Sequence, residues 1–184
     1  MIATIIVNLP EEIRNQLENE INLVFEKYSQ FRVGASGPTK YKNFPHITIT
    51  RVDDAQKSMG EIVEVVKNVA QLTQFQIKVT GVSVIEGGGS FHVVLEIEKN
   101  ESLKEIHEKI FQQLFPLINE DWRKLGGENY HPHISIITWM PKEKALEVAS
   151  SINIKPFKFF AKEIAIKTMD GKDKAKVFET FQLR

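Results

Sequence analysis

Cysteine is missing from this chain of 184 residues, and neither sign of charge is in excess. The first absence excludes disulfide bonds, thiolate catalysis and cysteine-ligated zinc. The 24 Lys and Arg residues balance the 24 Asp and Glu residues, so the formal net charge is zero. A neutral chain does not fit a protein that coats long duplex nucleic acid through many phosphate contacts. A short or terminal phosphate remains compatible with it.

Long hydrophobic runs are also missing. The apolar stretch from Ile2 to Val7 is too short to span a membrane and lacks the cationic segment that begins a signal peptide. We therefore expect a cytoplasmic protein with no membrane partner. With 42% hydrophobic residues the chain can bury a core of ordinary size. We expect one domain over residues 1–184, present as a monomer.

Two near-identical pentapeptides stand out from the rest of the sequence. They are Pro45-His46-Ile47-Thr48-Ile49 and Pro132-His133-Ile134-Ser135-Ile136, and the two histidines are 87 residues apart. Side chains alternate between the two faces of a strand, so each histidine and the hydroxyl two residues later point to one face. The isoleucines point to the other face. Each pentapeptide is therefore interpreted as half of a site.

Two imidazoles and two hydroxyls suit the chemistry of a phosphodiester. One of the histidines His46 and His133 can activate the attacking oxygen while the other protonates the leaving oxygen. Thr48 and Ser135 can bind the non-bridging phosphate oxygens. We expect no metal and no nucleotide cofactor. The competing hypothesis is a zinc site of His46, His131 and His133, which would leave both hydroxyls unexplained.

The order of apolar patterns repeats along the chain. Each half, roughly residues 1–86 and 87–184, reads as β-α-β-α-β with one histidine motif, and one further strand closes the chain. Pro10 and the acidic pair after it predict the start of the first helix. Ser102 and Glu105 form a capping-box pattern that predicts the start of the third helix.

On these motifs the chain resembles the two-histidine (2H) phosphoesterase superfamily, which includes 2′-5′ RNA ligase-like proteins and cyclic phosphodiesterases. Two H-x-[T/S]-x motifs define that superfamily, and the stretch Val-Phe-Glu-Thr-Phe-Gln-Leu at residues 177–183 is also similar to small bacterial members. The resemblance implies a bilobal, pseudo-twofold α+β fold of duplicated β-α-β-α-β units. Two mainly antiparallel sheets would face a central groove, with helices outside. It also implies that His133 activates water and that His46 protonates the leaving ribose oxygen.

The substrate that the resemblance implies is an RNA terminal 2′,3′-cyclic phosphate or a 2′-5′ phosphodiester bond. We expect Tyr41, Lys42, Tyr130 and Trp139, which lie near the motifs, to contact it, with core packing as the alternative for the aromatic residues. Two other functions stay open. One is a phosphodiesterase for a small cyclic nucleotide, and the other is an RNA-end or nucleotide-binding module of the same fold without turnover.

Three further polar features are interpreted as structural. His92 is expected to face solvent, and His107 lies beside the apolar stripe of a helix. The segment from Lys167 to Gly171 resembles the K-x-D-G signature of nucleotidyl ligases but has one residue too many. Asp170-Gly171-Lys172-Asp173, between two strand patterns, is better interpreted as a hairpin turn.

Overall fold

The computed structural model describes residues 1–28, 45–170 and 175–184. The strands in these ranges are β1 (Ile2–Asn8), β2 (His46–Val52), β3 (Phe75–Gly87), β4 (Ser90–Ile97), β5 (His133–Met140), β6 (Phe157–Ala161), β7 (Glu163–Met169) and β8 (Lys176–Gln182). The α-helices are α1 (Glu11–Tyr28), α2 (Met59–Val69), α3 (Glu101–Leu114), α4 (Glu120–Lys124) and α5 (Lys142–Ser151). None of these helices is long and apolar enough to cross a membrane.

The strands form one sheet in the order β6-β3-β4-β5-β2-β1-β7-β8, and neighbouring strands are antiparallel. The α+β class with a mainly antiparallel sheet is confirmed. The expectation of two separate sheets needs a correction, because main-chain pairing of Ile47 with Ile134 joins β2 to β5. The two lobes are therefore the two halves of one sheet, β6-β3-β4-β5 and β2-β1-β7-β8.

Each lobe contains part of the other half of the sequence: β3 in one lobe, and β7 and β8 in the other. β3 leaves the strands that precede it and pairs with β4, whereas β7 returns to pair with β1. The lobes are therefore connected in two ways: by chain segments that cross from one lobe to the other, and by the hydrogen-bonded pair of β2 and β5. The two motif strands are therefore held side by side at the centre of the sheet.

The core lies on one face of the sheet. Ile47 and Ile134 are fully buried there, together with side chains from four helices, namely Leu17, Ile62, Ile106 and Val148. Full burial of an aliphatic side chain stabilises the fold by about 1.5–3 kcal/mol relative to exposure. The alternation that places Ile47 and Ile134 in this core turns the histidines of the same strands to the opposite face.

The helix starts were predicted with unequal success. α1 begins at Glu11, directly after Pro10, as the sequence predicts. The prediction for α3 is wrong, because the helix begins at Glu101. The side-chain oxygen of Asn100 accepts a hydrogen bond from the Leu103 N–H at 2.8 Å, so Asn100 is the cap.

Candidate active site

The two motifs meet at the centre of the sheet, on the face opposite the core. Ile47 and Ile134 are paired and fully buried. Paired residues of antiparallel strands share a face, so the residues directly before and after each of them point to the other face. Those residues are His46, Thr48, His133 and Ser135, each of them partly exposed. The pairing therefore gathers the four predicted site residues around one point, which we call the groove.

Apolar residues lie beside both hydroxyls of the groove. Ile6 on β1 is the cross-strand partner of Thr48, and Val94 on β4 is the partner of Ser135. Both apolar residues are fully buried, and as direct partners they share the face of the hydroxyls. Charges in such surroundings are screened less than in water. A hydrogen bond from either hydroxyl to a phosphate oxygen would therefore be stronger here than at an open surface.

The backbone holds the ring of His133 in one orientation. Its Nδ1 donates a hydrogen bond to the carbonyl oxygen of His131 at 2.8 Å. Because a carbonyl only accepts, Nδ1 carries the hydrogen and Nε2 is the nitrogen that can take up a proton. Burial lowers the pKa of His133, although the hydrogen bond to His131 offsets part of this effect. The ring is neutral at pH 7 and is arranged as a proton acceptor.

A carboxylate supports this arrangement. Glu96 on β4 is the cross-strand partner of His133. It accepts hydrogen bonds from the Ser83 hydroxyl and from His131 Nε2, the latter at 2.7 Å. Burial alone would raise the pKa of Glu96, but the two hydrogen bonds and the nearby rings of His131 and His133 together outweigh burial and lower it. The ionised carboxylate therefore holds His131, whose carbonyl in turn orients His133.

His46 has a cation as its neighbour instead. Lys167 Nζ on β7 lies 3.2 Å from His46 Nε2. Lys167 is 6% exposed, and burial lowers its pKa to about 8, so the ammonium form still dominates at pH 7. The partner of His46 on β1 is Asn8, an uncharged amide that donates to Glu163 Oε2 at 3.2 Å. The two motif histidines thus share a geometry but differ in electrostatic surroundings.

Tyr130 and His107 support the first motif from the side of the core. The Tyr130 hydroxyl donates to the Thr48 carbonyl at 3.0 Å, and its ring stacks on His107 with centroids 3.8 Å apart. His107 Nδ1 donates to the Ile49 carbonyl at 3.0 Å, and its Nε2 accepts from the Gly127 N–H at 2.9 Å. Burial lowers the pKa of His107 and raises that of Tyr130. The structural position expected of His107 is found, and the substrate contact of Tyr130 stays a prediction.

An exposed indole lies near one end of the groove. Trp139 is 48% exposed and has a φ of 63°, and its ring meets the edge of His92 at 5.4 Å. His92 shares the face of Val94 on β4, and its Nε2 lies 2.9 Å from the Gly87 carbonyl oxygen. Alternation from His133 through Ser135 gives Trp139 the same face, and the two register shifts of the β4–β5 ladder, each of one residue, together leave that face unchanged. A positive φ at a non-glycine residue costs about 1–3 kcal/mol and is common at functional sites.

Family comparison identifies the kind of protein. The model of the 2′-5′ RNA ligase superfamily matches residues 10–173. The chain belongs to this superfamily. The resemblance inferred from the two motifs is thereby confirmed, and membership supports a phosphodiesterase-type activity. A search of curated proteins finds no match.

Solved structures share the fold of this superfamily member over nearly their whole length. TT0787 of Thermus thermophilus matches with a TM-score of 0.69 at 18% identity, covering 100% of this chain and 98% of that one. E. coli LigT complexed with NADP+ matches with a TM-score of 0.60 at 13% identity, covering 98% and 96%. Usb1 of Kluyveromyces marxianus matches with a TM-score of 0.52 at 9% identity, covering 99% and 98%. At these identities the likeness shows the fold alone.

Two of the predicted contacts cannot be placed. Tyr41 and Lys42 lie outside the described residues.

A separate pocket of about 300 Å³, lined in part by Asn100, Tyr130 and Pro132, contains neither motif histidine. We therefore place the candidate site of this superfamily member in the groove, on the chemistry of its residues and not on cavity size.

The zinc hypothesis gains no support from the described part of the chain. There, no three His, Asp or Glu residues lie close enough together to hold a metal ion. His131 and His133 have ring centroids 6.1 Å apart; Nε2 of His131 is directed to Glu96, and Nδ1 of His133 is directed to a backbone carbonyl. Independence from metal stays a prediction, which chelation tests directly.

Sequence reasoning missed the charged neighbours of the two histidines. Lys167 lies 121 positions from His46, and Glu96 lies 35 positions from His131. One signal was available, because Lys167 directly follows the apolar run at residues 164–166 within a strand pattern. Lysine is almost never fully buried unless it is paired, so a lysine that continues a buried strand indicates a specific role.

Proposed function

We propose that this protein is a metal-independent phosphodiesterase that hydrolyses an RNA terminal 2′,3′-cyclic phosphate or a 2′-5′ phosphodiester bond. The observation that carries the proposal is the Ile47–Ile134 pair, which turns two histidines and two hydroxyls to one face. Membership of the 2′-5′ RNA ligase superfamily supports the reaction class. The proposed partner is an RNA terminus or a small nucleotide.

In the proposed reaction, water attacks phosphorus while His133 Nε2 takes the proton of that water. The bond from phosphorus to a ribose oxygen breaks on the opposite side, and His46 donates a proton to that oxygen. The hydroxyls of Thr48 and Ser135 donate hydrogen bonds to non-bridging oxygens, on which negative charge increases in the transition state. The products are a phosphate monoester and a free ribose hydroxyl. Exchange with solvent restores both imidazoles.

The surroundings of the histidines favour this division of roles. His133 has its hydrogen on Nδ1 and a lowered pKa, which suits a base that is neutral before the reaction. His46 lies beside the Lys167 ammonium, and once Nε2 has taken up a proton, the nearby cation makes that imidazolium a stronger acid. The assignment agrees with the one that the family resemblance implies.

We further propose that Trp139 stacks on the base of the substrate. Its exposed indole lies beside His92, on the strand that carries His133, and base stacking on an aromatic ring contributes about 1–3 kcal/mol. Structures of E. coli LigT contain NADP+, ATP and 3′-AMP, so that protein of similar fold takes adenine nucleotides. A small cyclic nucleotide would use the same indole.

The experiment is a turnover assay on purified protein. 2′,3′-Cyclic AMP and a 2′-5′-linked diadenosine would be incubated with the protein after exhaustive treatment with EDTA, and the products separated by chromatography. We expect the wild-type protein to hydrolyse at least one of the two substrates. The double variant with His46→Ala and His133→Ala should hydrolyse neither. Binding of both compounds without turnover would favour a nucleotide-binding module. Activity lost with EDTA and restored by zinc would contradict the metal-independent mechanism.

A further inference from the structure

Lys167 is a buried ammonium on the face of the sheet that carries the groove. It pairs with Thr4 across β1 and β7, and Ala165 on the same strand pairs with Ile6. Ile6 is also the partner of Thr48. Because cross-strand partners and alternate residues of a strand share a face, Lys167 lies on the same face as the hydroxyl of the first motif.

The position of its ammonium group follows from one distance. Nζ of Lys167 lies 3.2 Å from Nε2 of His46, the nitrogen proposed to protonate the leaving oxygen. A phosphate held against that nitrogen has oxygens within about 3 Å of it. An oxygen on the Lys167 side of that phosphate can therefore come within hydrogen-bond reach of Nζ as well.

The charge of Lys167 matches a need that the two hydroxyls leave unmet. A phosphodiester carries a full negative charge, whereas Thr48 and Ser135 are uncharged donors. Hydrogen bonds from an ionised donor to phosphate are roughly twice as strong as those between neutral groups. Burial of Lys167 has a cost in free energy, which its pKa of about 8 reflects. A bound anion would offset that cost.

Two arginines of the described residues form their contacts elsewhere. Arg51, on the same strand as His46, forms an ion pair with Asp53 at 2.7 Å and lies over the ring of Trp122. Arg123 lies over the ring of Phe115 at 4.4 Å. Neither arginine contacts a motif residue in these interactions.

We propose that Lys167 is a third ligand of the bound phosphate, donating to a non-bridging oxygen beside His46. When the phosphate binds, Nζ gives up its contact with His46 Nε2 and donates a hydrogen bond to that oxygen. Nε2 can then carry the proton that the leaving oxygen receives. This inference rests on the proposed function for the identity of the anion. Its test therefore uses an anion that needs no turnover.

The test measures binding of sulfate, a tetrahedral anion that resembles phosphate and is not hydrolysed. Dissociation constants would be obtained at pH 7 from NMR shifts of the imidazole signals in the wild-type protein, Lys167→Met and the control Lys158→Met. Lys158 is an exposed lysine of the edge strand β6. We expect Lys167→Met to weaken binding about 10- to 100-fold, the loss typical of one hydrogen bond to a charged group, and Lys158→Met to change it less than about twofold.

Equal sulfate affinity in Lys167→Met and the wild-type protein would overturn the inference, whatever the turnover. Lysine-dependent sulfate binding by a protein that hydrolyses no phosphodiester would leave the inference intact and reject the proposed function instead. Circular dichroism would check that Lys167→Met is folded. If the variant is not folded, the wild-type protein with 13C-labelled lysine is titrated with sulfate, and the chemical shift of Lys167 Cε is followed. A chemical shift that does not change with sulfate would overturn the inference.

Discussion

The two halves of the groove contain the same motif in opposite electrostatic surroundings. Asn8 on β1 is the partner of His46, and Glu96 on β4 is the partner of His133. The partner is thus an uncharged amide in one half and a carboxylate in the other. The nearest charge to His46 in the contacts described is instead the Lys167 ammonium, 3.2 Å from Nε2.

A duplicated motif can therefore divide two roles between its copies. A neighbouring carboxylate favours proton uptake by an imidazole, whereas a neighbouring ammonium favours proton release. The β5 half is therefore suited to the base and the β2 half to the acid. The positions of the four motif residues are nearly symmetric and would not distinguish the roles. The charged neighbours do.

Removal of either histidine is expected to have the largest effect. His46→Ala and His133→Ala should each lower turnover of 2′,3′-cyclic AMP by about 10²–10⁴-fold, because each removes one general acid–base group. Both rings are partly exposed, so thermal unfolding should change little. Steady-state kinetics of the two variants check this. A variant that keeps the wild-type rate would remove that half of the groove from the mechanism.

The hydroxyls test the symmetric part of the comparison. Thr48→Ala and Ser135→Ala should each raise the barrier by up to about 2.7–4 kcal/mol, the loss measured for one positioned donor to a developing negative charge. The two losses should be similar, because each hydroxyl has a buried apolar partner, Ile6 or Val94. Measured values of kcat/KM for both variants decide the point, and a loss confined to one of them would contradict a phosphate bound between both motifs.

Glu96→Gln tests the asymmetric part. The carboxylate raises the pKa of His133 against the effect of burial, so its removal should lower that pKa further. The base must be neutral to act, so the ascending limb of the pH–rate profile should move to lower pH. The weaker base should reduce the maximal rate by about three- to tenfold.

The matched control for this variant is Glu98→Gln. Glu98 follows two residues later and forms an exposed ion pair with Lys78. Its replacement should leave both the limb and the maximal rate unchanged. An unchanged pH profile in Glu96→Gln, or an equal change in both variants, would show that Glu96 does not support the base.

Tyr130→Phe is expected to have the smallest effect. The residue precedes β5 but donates to the Thr48 carbonyl on β2, so it connects the two halves. Loss of this hydrogen bond should lower the free energy of unfolding by about 0.5–1.5 kcal/mol. Urea denaturation measures this change, and KM should stay the same. A raised KM without loss of stability would instead support the substrate contact predicted from the sequence.

Sequence reasoning succeeded where the pattern is local. The His-x-hydroxyl spacing predicts which side chains share a face, and Pro10 predicts where α1 begins, because both depend on neighbouring residues. It failed at the start of α3, because Asn100 and Ser102 are both suitable caps and the sequence does not show which of them precedes the helix. The burial of both motif isoleucines could be predicted, whereas their pairing with each other could not.

The features that distinguish the two halves depend on register between distant strands. Lys167 reaches His46 only because β7 crosses back to pair with β1. Glu96 is opposite His133, and Trp139 approaches His92, through a β4–β5 ladder whose register shifts twice. Alternation along one strand does not reveal such shifts. The motif was therefore predictable, and its electrostatic surroundings were not.

The division of roles between the two halves can be tested with a leaving group that needs no proton. Hydrolysis of bis(p-nitrophenyl) phosphate, which releases a stable phenolate, would be compared with hydrolysis of 2′,3′-cyclic AMP in His46→Ala and His133→Ala. We expect His46→Ala to keep the activated substrate within about tenfold of the wild-type rate, while His133→Ala loses about 10²–10⁴-fold on both substrates. Equal losses for the two variants on the activated substrate, or sparing of His133→Ala instead, would contradict the assignment of the acid to β2 and the base to β5.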